Sequence, residues 1–90
     1  MTGDPVGATR ANVSVSVRYW ASARAVAGCD SERFGGLHVG DVLEAAAAAH
    51  TGLSVVLDVS TILLDGRVVT AFEPLSEGVT LEVLPPFAGG

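Results

Sequence analysis

Ninety residues with ten acids, five arginines and no lysine give a net charge of −5 and the size of one small domain. The acidic balance argues against nucleic acid and anionic membrane as partners, and suits a protein partner with a basic docking face. The absence of lysine excludes a phosphate-loop lysine, a Schiff-base lysine and any isopeptide acceptor lysine on this chain.

Residues 1–11 show no periodicity and read as a flexible leader, without the basic and apolar regions of a signal peptide. From Asn12 to Trp20 the chain alternates, with Val13, Val15, Val17 and Tyr19 on one face, which predicts a half-buried strand. Ala21 to Ala27 predicts a short helical turn closed by Gly28. Asp30 to Phe34 predicts a marginal second strand, broken by Gly35-Gly36. Val39 to His50 carries Val39, Val42, Leu43, Ala46 and Ala47 at helical spacing and predicts the main helix. Asp41 and Glu44 favour its dipole and Gly52 stops it, but His38 is a poor N-cap residue. Leu53 to Val59 reads equally as a short helix or a buried connection. Thr61–Leu64 and Arg67–Phe72 predict two strands about an Asp65-Gly66 hairpin turn, and Val79 to Leu84 predicts the closing strand. A mixed sheet with one main helix packed across it is the simplest two-layer solution. The domain therefore spans 12–84, followed by an extended tail at 85–90.

No self-contained active site emerges. There is no Gly-x-Ser-x-Gly elbow and no dinucleotide glycine pattern. His38 and His50 are separated by roughly 18 Å of helix and read as surface or boundary residues, without a spaced carboxylate or cysteine set that would bind a metal. Cys29, next to Asp30, reads as a small, partly buried residue rather than a reactive thiol. As the single cysteine it provides no disulfide framework, which fits a reducing cytoplasm.

The carboxyl-terminal stretch Pro85-Pro86-Phe87-Ala88-Gly89-Gly90 is the distinctive feature. Two prolines hold the chain stiff and extended, and two glycines give the thinnest backbone available. Such a terminus suits threading into a narrow channel. It also leaves the last carbonyl unhindered, as a carboxylate that must be activated before acyl transfer requires.

On these residues the chain resembles the MoaD-type sulfur carriers of the MoaD/ThiS family. The resemblance rests on Leu64-Asp65-Gly66-Arg67, on the run from Pro74 to Gly90, and on Val15 to Arg24 with Ala27-Gly28; it covers about residues 12–90. It implies an α+β, ubiquitin-like β-grasp fold with the first and last strands parallel and adjacent. It implies that Gly90 is adenylated by an E1-like partner enzyme that binds ATP, then converted to a thiocarboxylate by a sulfur donor. Ala88 and Gly89 would thread the large subunit of molybdopterin synthase, where the sulfur enters molybdopterin during molybdenum cofactor biosynthesis. No cofactor would be bound by this chain, and no active site of its own is implied. The departures are the leader, Trp20 where phenylalanine is common, and His38 where threonine or a similar cap is common. From the strand alternation and the implied pairing, Trp20, Leu84 and Phe87 are expected to form an exposed apolar docking patch beside the tail. The alternatives are a thiocarboxylate carrier for thiazole or cysteine biosynthesis, a ubiquitin-like protein modifier joined through Gly90, and an interaction module with an inert tail.

Overall fold

The computed structural model describes residues 13–86. The leader, 1–11, and the Phe87–Gly90 part of the tail lie outside the described residues.

The chain order is β1 (Val13–Tyr19), α1 (Ala21–Ala27), β2 (Ser31–Gly36), α2 (Val39–Ala49), α3 (Leu53–Val59), β3 (Thr61–Leu64), β4 (Arg67–Val68) and β5 (Thr80–Leu84). The strands form one mixed sheet in the order β2-β1-β5-β3-β4. β1 pairs antiparallel with β2 and parallel with β5, and β3 runs antiparallel to β5. The first and last strands are thus central neighbours, as expected.

Alternation decides which face is covered. Val15, Val17 and Tyr19 of β1 are 0–1% exposed, as are Leu81 and Val83 of β5. They form the core with Ile62, Leu64, Ala23, Ala27, Val39, Val42, Ala46 and Leu53. Burying each valine or leucine contributes about 1.5–3 kcal/mol relative to exposure. The ambiguous segment resolves as helix α3, whose only fully buried residue is Leu53. Among the described residues three helices therefore cover the sheet, with α2 the longest.

Backbone conformation follows the turn residues. Gly28 closes α1 at φ +77° and Gly52 follows α2 at φ +90°. Asp65 (φ +47°) and Gly66 (φ +89°) are both left-handed, as a two-residue hairpin turn requires. Asp65 also pins the start of β5: its N–H donates to the Thr80 carbonyl at 2.9 Å, and its Oδ1 accepts from Thr80 N–H at 3.0 Å.

Three expectations need correction. Gly35-Gly36 does not break the second strand: the strand runs from Ser31 to Gly36, with Gly36 opposite Val13. Gly36 is small because α2 crosses there. A Cβ on it would lie 2.9 Å from Asp41 Cβ and 3.0 Å from Val42 Cγ2. The second hairpin strand is only Arg67–Val68, because after Val69, whose N–H still donates to the Ile62 carbonyl at 3.0 Å, the chain turns to serve the helix start instead. There the Ala71 and Glu73 carbonyls accept from Gly40 and Val39 N–H, each at 2.9 Å. His38 is accordingly less of a weakness than its residue type suggests. Asp41 reaches back, its Oδ2 accepting from His38 N–H at 2.9 Å and Leu37 N–H at 3.1 Å. These N–H groups, His38 first, hold the Asp41 carboxyl below the usual carboxylate range.

Two outcomes follow. Gly36→Ala should lower stability by about 1–3 kcal/mol in urea unfolding, since the new methyl is pressed against α2. Asp41→Ala should lower the melting temperature at neutral pH. A depressed folded pKa stabilises above the unfolded value near about 4 and loses that effect as pH falls through the folded value. The gap between wild type and Asp41→Ala should therefore narrow on acidification, as read by thermal melts across pH.

Candidate functional site

The site is built where β5 ends. β5 lies between β1 and β3, so its carboxyl end leaves the middle of the sheet rather than an edge. Its register is set at both flanks: Val83 stands opposite Tyr19 on β1, and Leu84 opposite Thr61 on β3. Pro85 is half-buried and Pro86 exposed. The tail thus leaves a held strand through two residues whose φ is locked. The predicted tail residues Phe87, Ala88, Gly89 and Gly90 lie outside the described residues.

Trp20 stands beside this exit. It follows the last residue of β1, and its N–H donates to the Val83 carbonyl at 3.2 Å, continuing the β1–β5 ladder by one step. Its backbone is extended (φ −122°, ψ 154°), and the next residue, Ala21, turns the chain into α1 at φ +47°. A left-handed alanine costs about 1–2 kcal/mol, a local strain the surrounding packing holds in place.

The indole lies on the uncovered face of the sheet. Its Nε1–H donates to Glu82 Oε2 at 3.2 Å, and the Arg18 guanidinium sits 4.8 Å from the ring centroid. Arg18 and Glu82 alternate with the buried Val17, Tyr19, Leu81 and Val83, so both face away from the helices. Trp20 remains 36% exposed. These two contacts hold the ring in place without burying it. Leu84 is half-buried and by the same alternation belongs to this open face.

Leu63 and Val68 extend this face, and sequence reasoning missed them. They pair across β3 and β4, and Val68 is 69% exposed while Val69 is buried. The run Ile62-Leu63-Leu64 is apolar throughout, so its sequence does not tell which side faces solvent. The hairpin register about Asp65-Gly66 carries that information.

The uncovered face thus offers an apolar group, Trp20, Leu84, Leu63 and Val68, flanked by Arg18 and Glu82. An exposed aromatic and aliphatic group with charged flanks has the chemistry of a protein-docking surface. Among the described residues it brings together no nucleophile and base.

The residues set aside in the sequence lie elsewhere. His38 is at the start of α2. His50 and Cys29 are not isolated, contrary to expectation: both stand against Glu32 of β2. The buried Tyr19 hydroxyl donates to Glu32 Oε2 at 2.7 Å, and His50 Nε2 hydrogen-bonds the same oxygen. Burial first, then the Glu32 bond, pushes the Tyr19 hydroxyl well above its ordinary pKa. Burial, Glu32 and Asp30 push the Cys29 thiol up, which argues against a nucleophilic role.

The chain matches the family model of the ThiS family over residues 17–90. No curated protein sequence matches it. Among solved structures, a Pyrococcus furiosus protein assigned as molybdopterin converting factor subunit 1 is 30% identical, with a TM-score of 0.75 over 82% of this chain and 98% of the other. SAMP1, a small archaeal modifier protein of Haloferax volcanii, is also 30% identical, with a TM-score of 0.77 over 86% and 99%. A complex of subunits 1 and 2 of the Helicobacter pylori molybdopterin-converting factor contains a chain similar in fold, with 24% identity, a TM-score of 0.66, and coverage of 87% and 100%.

Trp20→Ser should change unfolding free energy by less than about 1 kcal/mol, because the indole's polar partners are on the solvent side. Chemical denaturation checks this. A loss of several kcal/mol would mark the indole as part of the core.

Proposed function

The chain belongs to the ThiS family and has a ubiquitin-like β-grasp fold, and from that premise we propose that it is the sulfur-carrying small subunit of a molybdopterin synthase. The observation that carries the reading is the Pro85-Pro86-Phe87-Ala88-Gly89-Gly90 run, which follows directly on the central strand β5.

In this reading Gly90 is the reacting residue. An E1-like partner transfers AMP from ATP to its carboxylate, releasing pyrophosphate. A sulfur donor then displaces AMP and leaves a thiocarboxylate. The negative carboxylate is a poor acyl donor until the adenylate supplies a leaving group. Ala88, with a single methyl, and Gly89, with no side chain, are slender enough for a narrow channel to admit. Trp20, Leu84 and Phe87 dock the partners. The large subunit is the expected acceptor, by analogy with the two-subunit Helicobacter pylori complex. ATP belongs to the activating enzyme. The cycle operates in the cytoplasm, where Cys29 stays reduced. Among the described residues no helix is long and apolar enough to cross a membrane.

A second reading has its own support. The 30% identity to a small archaeal modifier protein favours a ubiquitin-like role, in which activated Gly90 forms an amide with a target lysine. Carriage of sulfur for thiazole or cysteine biosynthesis fits the same terminus.

Intact-mass analysis of the protein from its own cells separates these. A shift of about 16 Da from oxygen replaced by sulfur supports the carrier; lysine-linked adducts of Gly90 support the modifier. Adding one residue after Gly90 should abolish sulfur transfer and leave the melting temperature unchanged. Trp20→Ser should weaken binding to the large subunit about tenfold or more, as a central aromatic anchor does. Unchanged binding would remove Trp20 from the docking surface.

A further inference from the structure

We propose that Cys29, Glu32 and His50 form a binding site for a zinc-class divalent cation, on the helix-covered side of the sheet at its β2 edge. Cys29 and Glu32 are three residues apart, and His50 reaches them from the far end of α2. Cys29 follows Gly28, whose left-handed backbone (φ +77°) ends α1. Glu32 is the second residue of β2, and its partner on β1 is Val17, a core-facing position. His50 is the first residue beyond α2. One ligand atom from each, thiol sulfur, carboxylate oxygen and imidazole nitrogen, lies within 4.8 Å of the other two.

That convergence is the geometry a small cation demands. Tetrahedral bonds of about 2.0–2.3 Å place donor atoms roughly 3.5 Å apart, so the His50–Glu32 hydrogen bond would open to admit the ion while side-chain rotation brings all three donors to that spacing. The donor set is chemically selective: a thiolate with an imidazole and one carboxylate suits zinc rather than calcium or magnesium, which take oxygen ligands. All three residues are half-buried, and the His50 and Glu32 side chains are 19% and 26% exposed. An ion can therefore enter, and three protein ligands leave the fourth position to water.

The surroundings position the ligands. The hydroxyl of Tyr19, a residue 1% exposed, donates at 2.7 Å to Glu32 Oε2, the oxygen that also bonds His50, and orients the carboxylate. The Tyr19 and His50 rings meet edge to face, 6.2 Å apart at 87°, which fixes the imidazole plane. Asp30, next to Cys29, is engaged by Arg24 at 3.4 Å. A bound ion would tie the edge strand β2 to the end of α2, and the thiol proton would pass to solvent as the sulfur binds. Nothing in this site depends on the carrier reading of the tail.

The test is titration of the untagged, metal-free full chain with Co²⁺, followed by displacement with Zn²⁺. One ion per chain should bind, with tetrahedral d–d bands and a thiolate-to-cobalt charge-transfer band, and Zn²⁺ should remove both and raise the melting temperature. Cys29→Ser should abolish the charge-transfer band. His50→Gln should weaken binding at least tenfold, and His38→Gln should leave it unchanged. A cobalt spectrum that stays that of the octahedral aquo ion overturns the proposal, as does an affinity that His50→Gln leaves unaltered. Because the wild-type spectrum alone decides the first point, a variant that folds poorly does not obscure the result.

Discussion

The parallel pairing of β1 with β5 is the contact on which the rest of the molecule depends. It joins the first described strand to the last, with Val17 against Leu81 and Tyr19 against Val83, all essentially without solvent exposure. A parallel pair cannot be closed by a tight turn. The intervening chain must cross over the sheet, and its helices bury the inner face. Because the central strands are committed in this way, the carboxyl end of β5 emerges beside the amino end of α1. The exit of β5 and the Trp20 indole end up together for that reason.

The same pairing divides the protein into two chemically different sides. The covered side holds the core and, at its β2 edge, the Tyr19–Glu32–His50 hydrogen bonds with Cys29 beside them. The open side holds Arg18, Trp20 and Glu82, whose mutual contacts keep an aromatic ring ordered and accessible. A side chain that is already held loses little freedom when a partner covers it. That is the physical advantage of an indole braced by an arginine and a carboxylate over one that is free to rotate.

Much of this was legible in the residues themselves. The valines of β1 alternate so regularly that their buried face needed no structure. Asp65-Gly66 marked the hairpin turn, and the β5 alternation sorted Leu81 and Val83 from Leu84. Gly35-Gly36 misled, because a glycine that admits a crossing helix looks the same in sequence as one that ends a strand. Arg67–Phe72 misled because loop carbonyls at Ala71 and Glu73 took up the N–H groups of α2 instead of extending the ladder. His38 looked like a faulty cap because the group that compensates, the Asp41 carboxylate, acts from three residues downstream.

What the sequence alone determined is local: the periods of strand and helix, the turn glycines, and a slender proline- and glycine-rich tail after an alternating strand. These rest on steric and burial preferences that each residue shares with its near neighbours in the chain. What only the tertiary structure decided is which distant residues meet: Trp20 with Glu82, Leu63 and Val68 on the open face, and Cys29 and Glu32 with His50. Those meetings depend on strand register and helix placement, which are set by the packing of the whole core, so no short stretch of sequence contains them.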